Sequence, residues 1–167
     1  MFKSKDFSLM EVIHIKNSRI GFIKDMLLDF NDKKILGFEI SCYDFLNRKL
    51  NVMKEDIITF ENSMVINNTC QKNNHLCFKD IKGTDIWDIH GNMMGMLEDI
   101  IFEENSFKIY GVILSSGMLN NYLKGKQILL AEELILGDNC ILCSGCSRLS
   151  FSSKPHKISL NSGGELN

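Results

Sequence analysis

The chain has little proline, no long apolar run and no large excess of one charge. Only one of its 167 residues, Pro155, is a proline, so almost no backbone N–H is missing from a possible strand ladder. The apolar runs, such as residues 128–130, fall far short of the roughly 20 residues that a membrane-spanning helix needs. No membrane insertion is therefore predicted. The formal net charge is −2, and no block of like charge suggests an arm that binds nucleic acid.

A secretory leader and a disulfide framework are not indicated either. The first residues lack the apolar core and the small-residue cleavage site of a signal peptide. Six cysteines in such a chain favour reduced thiols over disulfides, so we expect a cytoplasmic protein. Hydrophobic residues make up 44% and charged residues 24% of the chain. These values are close to the globular average, so the chain is expected to fold.

What the sequence does contain is an internal repeat. A shift of 74 residues places Gly21 on Gly95 and Gly37 on Gly111 without a gap. Further along, the shift becomes 77, which indicates three additional residues in one loop of the second copy. The four glycines fall inside strand patterns, where glycine usually marks a bulge or a sharp bend.

Each copy consists of short runs of Ile, Leu, Val and Phe separated by turn residues, a pattern that favours strands over helices. A small antiparallel sheet with one buried face can remove its exposed edges by curling on itself. We therefore predict an all-β fold of two tandem small antiparallel β-barrels with short helical turns. The acidic segments 55–58 and 132–135 each look like a single helical turn that enters a strand. The predicted domains cover residues 1–68 and 77–146, with a linker at 69–76 and a flexible tail at 147–167.

In both copies a glycine is followed by an aspartate four positions on, then by a polar turn and by a second glycine sixteen positions after the first. Residues 20–39 carry this pattern in the first copy and residues 94–113 in the second. The pattern resembles the PRC-barrel family. The resemblance implies a small β-barrel without shared catalytic residues that binds other proteins or holds an assembly in place. Because one branch of that family matures ribosomes, a ribosome- or RNA-associated role is the alternative.

The sharpest candidates for chemistry are Cys143 and Cys146, whose two-residue spacing and intervening glycine suit a zinc-chelating turn. Cys70 and Cys77, upstream of the second copy, complete the candidate metal set. No second pair with this spacing accompanies the first. If a strand runs through this segment, Cys140 and Cys143 point to opposite faces, so one of them is a core residue. A thiol- or zinc-linked sensor is therefore a further alternative, while no metal and no cofactor is our main prediction.

The loop that holds the insertion is the predicted contact with a partner. Apolar side chains beside lysines suit a protein-contact patch, and the residues concerned are Met118, Leu119, Tyr122, Leu123, Lys124 and Lys126. The nearby methionines Met93, Met94 and Met96 are expected to fill gaps in the core. No nucleophile has a recognisable local signature, and adjacent carboxylates face apart. We therefore predict no catalytic residues and no enzyme.

Charge divides unevenly between the copies. Residues 1–66 carry ten basic and ten acidic side chains, whereas residues 77–143 carry five basic and ten acidic ones. An acidic second unit disfavours binding to RNA. The sequence therefore predicts a non-catalytic adaptor or assembly module that binds a protein partner or a second copy of itself.

Overall fold

The computed structural model describes residues 1–43, 49–71, 74–115, 126–145 and 148–151. The first half contains β1 (Phe2–Lys3), helix α1 (Ser4–Phe7), β2 (Glu11–His14), β3 (Arg19–Asp29), β4 (Lys34–Cys42), β5 (Lys49–Met53), β6 (Ile57–Phe60), β7 (Ser63–Ile66) and β8 (Cys70–Gln71). The second half contains β9 (Leu76–Cys77), helix α2 (Phe78–Ile81), β10 (Asp85–Asp88), β11 (Met93–Phe102), β12 (Ile109–Ser115), β13 (Lys126–Leu130), β14 (Leu134–Leu136), β15 (Ile141–Cys143) and β16 (Arg148–Phe151).

The strands form two curled eight-stranded sheets with the same strand order. The first sheet runs β6-β7-β2-β3-β4-β5-β8 with β9 added on β3, and the second runs β14-β15-β10-β11-β12-β13-β16 with β1 added on β11. The predicted all-β, two-barrel fold is confirmed. One detail differs from the prediction: among the described pairs, β2–β7 and β10–β15 are parallel. In each half the chain passes through the rest of the sheet before it returns beside the first strand, so no hairpin turn constrains that pair to be antiparallel.

The glycines lie where neighbouring backbones approach closely. A Cβ atom on Gly21 would lie 2.0 Å from the carbonyl oxygen of Ser41, and one on Gly37 would lie 2.1 Å from that of Val52. Both glycines border shifts in strand register, opposite β2 and β3 respectively. The equivalent glycines of the second sheet also border register shifts. The prediction that these glycines mark bulges is confirmed.

The two halves exchange their first strands. Phe2 of β1 pairs with Phe102 of β11, and Leu76 of β9 pairs with Leu28 of β3. These two pairings are equivalent under the shift of 74 residues, so each sheet is completed by a strand that precedes the other half. We refer to β1–α1 and β9–α2 as the two arms. The predicted linker at 69–76 accordingly contains β8 and the first residue of β9.

A local twofold axis relates the two halves. At the start of β4 the Ile35 N–H donates to the Phe107 carbonyl at 2.9 Å, and the Ile109 N–H donates to the Lys33 carbonyl at 2.7 Å. Each bond becomes the other when residue numbers are shifted by 74. Because each half donates one bond and accepts one, the contact is reciprocal, as at a twofold subunit interface.

One continuous core fills the space between the sheets. Phe7, fully buried on α1, lies 5.2 Å from the Phe38 ring of the first sheet and 5.4 Å from the Phe102 ring of the second, measured between ring centroids. Phe2 and Phe60 also pack against the Phe7 ring, each at 5.2 Å between ring centroids. The buried residues of both halves form a single cluster. The repeat predicts two interiors, and the structure shows that they merge.

Two kinds of helical turn occur. The predicted acidic turns before β6 and β14 are 3-10 turns at Lys54–Asp56 and Ala131–Glu133. The four-residue helices α1 and α2 were not predicted. The Asp6 carboxylate accepts the Lys3 N–H at 2.8 Å at the start of α1, and Asp80 does the same for Cys77 at the start of α2. A capping carboxylate at the third helical position was therefore the available signal.

The end of the described chain also forms part of the second sheet. Strand β16 pairs antiparallel with β13, from Lys126 opposite Phe151 to Leu129 opposite Arg148. This strand lies within the segment that the sequence analysis assigns to a tail. It takes the place that β8 has in the first sheet. The remainder of that segment, residues 147 and 152–167, lies outside the described residues.

Candidate functional site

The aspartates of the repeated motif anchor the arms. Asp25 accepts the Met26 N–H at 2.8 Å and the Lys79 N–H of α2 at 3.3 Å. On the other side of the axis, Asp99 accepts the Ile100 N–H at 2.8 Å and the Ser4 N–H of α1 at 3.0 Å. Each carboxylate thus joins its own sheet to the arm of the other half. The motif that the sequence repeats is therefore used to assemble the fold.

A row of apolar side chains crosses four adjacent strands on the outer face of the second sheet. Ile135 lies opposite Leu142, Leu142 lies opposite Trp87, and Trp87 lies opposite Met93. Cross-strand partners point to the same face of a sheet. We call Ile135, Leu142, Trp87 and Met93 the outward row.

Strand alternation explains why this row faces solvent. Leu142 lies between Ile141 and Cys143, which are both buried. Since successive side chains of a strand point to opposite faces, burying those two exposes Leu142. The exposed fractions are 58% for Ile135, 44% for Leu142 and 51% for Met93. Trp87 is half-buried. Large apolar groups that are adjacent and exposed commonly mark interaction surfaces.

The strands of the outward row carry negative charge only. Strands β10, β11, β14 and β15 contain Asp85, Asp88, Glu98 and Asp99 and have no lysine or arginine. The side-chain amide of Asn92 donates to Asp88 at 2.9 Å. This hydrogen bond, with the backbone N–H of Asn92, holds the pKa of Asp88 below its usual range. The carboxylate therefore stays ionised at the end of β10 at neutral pH.

The corresponding face of the first sheet ends in a charged residue on β3. Thr59, Val65, Ile13 and Arg19 follow one another across β6, β7, β2 and β3, and Arg19 takes the place of Met93. The Arg19 Nε lies 3.5 Å from a carboxylate oxygen of Glu11. The Tyr43 hydroxyl donates to the same oxygen at 3.1 Å. These residues of the first sheet therefore do not form an equivalent of the outward row.

In the first half of the chain, the strand order and the glycine and aspartate pattern occur together. Residues 1–69 match the family model of the PRC-barrel domain. The predicted resemblance is thereby confirmed for the first half. The second sheet repeats the strand order of the PRC-barrel unit. No curated protein matches the chain.

The burial of the methionines in the second sheet matches the prediction only in part. Met94 packs against the core as predicted. The exposed fractions of Met93 and Met96 are 51% and 40%, so the prediction that they fill the core is wrong. A bulge opposite β10 leaves Met94 without a cross-strand partner, between exposed Met93 and buried Gly95. The outward row itself was missed, because neither the register nor this bulge can be read from the methionine spacing.

Most of the predicted partner-contact loop lies outside the described residues. This applies to Met118, Leu119, Tyr122, Leu123 and Lys124. Lys126 is the first residue of β13, where its backbone pairs with that of Phe151. The loop therefore stays a prediction, whereas the outward row is a second candidate surface that the structure describes fully.

The candidate metal ligands are spread over both sheets. Cys143 is buried in β15, where its thiol donates to the Gly145 carbonyl at 3.3 Å. Cys77 is buried in β9, and burial raises the pKa of its thiol. Cys70 lies in β8, and Cys146 lies outside the described residues. Within the described ranges, no three residues among His, Cys, Asp and Glu are arranged to hold a metal ion.

Cys140 and Cys143 differ in burial as predicted. Cys143 is buried and Cys140 is partly exposed. A raised pKa keeps the Cys77 thiol protonated at neutral pH, which opposes nucleophilic or redox chemistry there.

In the part of the chain that the structure describes, no helix is long and apolar enough to cross a bilayer.

Proposed function

We propose that this protein is a non-catalytic binding module whose outward row contacts a protein partner. The partner segment presents apolar side chains flanked by lysine or arginine. The observation that carries the proposal is the unbroken run of Ile135, Leu142, Trp87 and Met93 across four strands, on an exposed face where the first sheet has the charged Arg19 in place of Met93. The PRC-barrel match of the first half fits a non-catalytic module.

The composition of the row supports a protein contact. Aromatic residues and methionine are enriched in the buried centres of protein interfaces. Trp87 is the one tryptophan of the chain, and tryptophan is prominent among the residues that dominate binding energy. Because it is already half-buried within the sheet, it loses little side-chain freedom on binding. A partner that covers the row removes its apolar surface from water.

The charge of the row supports a partner with basic flanks. Asp85 lies two residues before Trp87 on the same strand, so both side chains point to the outer face, and Glu98 lies on the strand of Met93. Opposite charges across an interface speed encounter and select against wrong partners. The same carboxylates repel a phosphate backbone, so this face does not favour RNA. Placement in the cytoplasm remains part of the proposal.

Site-specific photo-crosslinking tests this proposal. A benzoyl-phenylalanine is placed at Ile135 in the full chain, and in a second protein at Ile58, which corresponds to Ile135 under the shift of 77 residues. The two side chains are similarly exposed, at 58% and 51%. A difference in adduct yield between them therefore reflects contact with a partner and not a difference in accessibility. In the native host we expect much more adduct at position 135 than at position 58, because only the probe at position 135 lies in the proposed contact.

The composition of the adduct decides the outcome. Mass spectrometry should identify a cross-linked segment with apolar residues next to lysine or arginine, and the adduct should disappear in a Leu142→Ser variant. Equal adducts at both positions contradict a specific surface. A cross-link to a second copy of this chain replaces the proposed partner with self-association, and an acidic segment contradicts the charge argument.

A further inference from the structure

A second, separate feature is a groove between the two arms. It has a volume of about 210 Å³ and lies where α1, α2 and β3 meet. We call it the lysine groove, because four of its lining residues are lysines: Lys5, Lys24, Lys79 and Lys82. The other lining residues are Ser4, Ser8, Ile23, Asp25, Met26 and Phe78.

Two of the lysines are paired with buried carboxylates. Lys24 Nζ lies 2.9 Å from an oxygen of Glu39, which is completely buried. Lys79 Nζ lies 3.7 Å from Asp25 and 3.9 Å from Glu39. These carboxylates hold both ammonium groups at the wall of the groove. Their charges are balanced, two against two.

The other two lysines add positive charge at the mouth. Lys5 and Lys82 are exposed, and the Lys82 ammonium lies 6.0 Å from the centroid of the Phe78 ring. The groove and its buried floor thus combine four ammonium groups with the carboxylates of Asp25 and Glu39. The four ammonium groups exceed the two carboxylates by two charges, and such an excess of one sign attracts ions of the other sign.

Comparison of the groove residues with their equivalents in the other half shows which of them the fold requires. Under the shift of 74 residues, Lys24 corresponds to Glu98, Glu39 to Ile113, and Lys82 to Ser8. The second sheet therefore reaches the same topology with a carboxylate and an apolar residue at the places of Lys24 and Glu39. Burying a charged pair in place of apolar side chains generally adds little to stability. The charged set of the first half is thus not needed to build the fold.

We infer that the lysine groove binds a small oxyanion with two or more negative charges. The shared chemistry is that of phosphate esters and of polycarboxylates. Lys5 and Lys82 provide the first attraction, and Lys79 and Lys24 form the wall. The exposed Ser8 hydroxyl can donate a hydrogen bond to the ligand, while the Ser4 hydroxyl already donates to Asp99. Charge-assisted hydrogen bonds of this kind are stronger than neutral ones. This inference does not depend on the outward row.

NMR titration of the full chain tests the inference. Pyrophosphate is the probe for the phosphate source, and citrate is the probe for the carboxylate source. The titrations are made in separate samples at low ionic strength, because salt screens exposed charges. We expect saturable shifts of the Lys5, Lys79 and Lys82 amides with a Kd of about 1 mM or lower for at least one probe. A response to one probe alone identifies the source.

A matched pair of variants separates a site from general attraction. Lys5→Gln with Lys82→Gln removes two charges from the groove. The control, Lys16→Gln with Lys34→Gln, removes two exposed charges elsewhere. We expect about tenfold weaker binding in the groove variant and less than about twofold in the control, because only the groove lysines face the bound anion. Equal weakening in both variants overturns the inference, and so does the absence of saturation with both probes in the wild-type chain.

Discussion

The two sheets share a strand order but differ on their outer faces and beside the arms. The outer face of the first sheet ends in the Arg19–Glu11 ion pair, whereas the equivalent row of the second sheet ends in Met93. Conversely, the charged set around Glu39 lies in the first sheet, and Ile113 takes the place of Glu39 in the second. What the halves share builds the fold. What they do not share indicates where each half was free to acquire a binding surface.

The residues at the local axis show the same division. Lys33 and Phe107 are equivalent, and both have a left-handed backbone, with φ of 53° and 58°. Phe107 joins the aromatic core. Lys33 is buried too, but its ammonium donates to the carbonyls of Phe30 at 2.6 Å and Leu134 at 2.7 Å. The topology therefore sets the backbone conformation at these two equivalent positions, whereas the two side chains are buried in different ways, one in the aromatic core and the other through hydrogen bonds to carbonyls.

The largest expected difference concerns the core positions of the arms. Phe7→Ala should lower the free energy of unfolding by roughly 4 kcal/mol, and the equivalent Ile81→Ala by roughly 3 kcal/mol, because removal of the ring leaves a larger cavity. Since both residues belong to one cluster, urea denaturation followed by circular dichroism should show a single transition in each variant. Two transitions, of which only one moves, would show that the halves unfold separately.

A smaller difference in stability is expected between variants of the two equivalent glycines, Gly37 in β4 and Gly111 in β12. An added Cβ would lie 2.1 Å from the Val52 carbonyl oxygen at Gly37, but 2.7 Å from the Leu129 carbonyl oxygen at Gly111. We expect Gly37→Ala to cost roughly 3 kcal/mol and Gly111→Ala roughly 1 kcal/mol, because steric overlap forces larger backbone shifts in the first case. Thermal unfolding of both variants measures the difference. A larger destabilisation in Gly111→Ala contradicts it.

The buried carboxylate of the first half should make stability depend on pH. Burial raises the pKa of Asp25 above its ordinary value of 3.8. Its contribution to stability is therefore complete below pH 3.8 and is lost as the pH rises through the raised pKa. As the pH increases through the raised pKa of Asp25, the free energy of unfolding of Asp25→Asn should increase relative to that of wild type. Urea denaturation at several pH values measures this difference. The uncharged control Ile113→Val should differ from wild type by the same amount at each pH.

The smallest effect on stability is expected on the outer face. Met93→Arg introduces the residue that the first sheet has at this position. Because Met93 is half exposed, the free energy of unfolding should change by less than about 0.5 kcal/mol. Cross-linking at position 135 should nevertheless fall about tenfold, because a charge within an apolar interface must lose its water. Unchanged cross-linking in this variant contradicts the outward row as the binding surface.

Much of the fold could be predicted from repeated local signals. Short apolar runs between turn residues indicated strands, and the acidic residues before β6 and β14 indicated single helical turns. The reciprocal exchange of β1 and β9 could not be predicted, because two-residue strands carry no periodicity. The parallel pairs were missed for a related reason: the repeat shows which segments correspond, but not which neighbours they pair with.

The candidate sites were harder to predict than the fold. The lining of the lysine groove comes from segments that are far apart in the chain, such as Lys5, Lys24 and Lys79. No spacing rule connects them. The outward row was hidden for a different reason, since Leu142 and Trp87 read like core residues until the register places them on the outer face.

The sequence by itself determined that this protein is all-β and built from curled sheets, because the apolar alternation, the glycines and the turn residues act locally in both halves. Only the tertiary structure decided that the halves complete each other's sheets and share one core. It also decided which apolar residues remain in water. The physical reason is that burial and charge pairing depend on strand register and on contacts between distant segments, which a linear pattern does not contain.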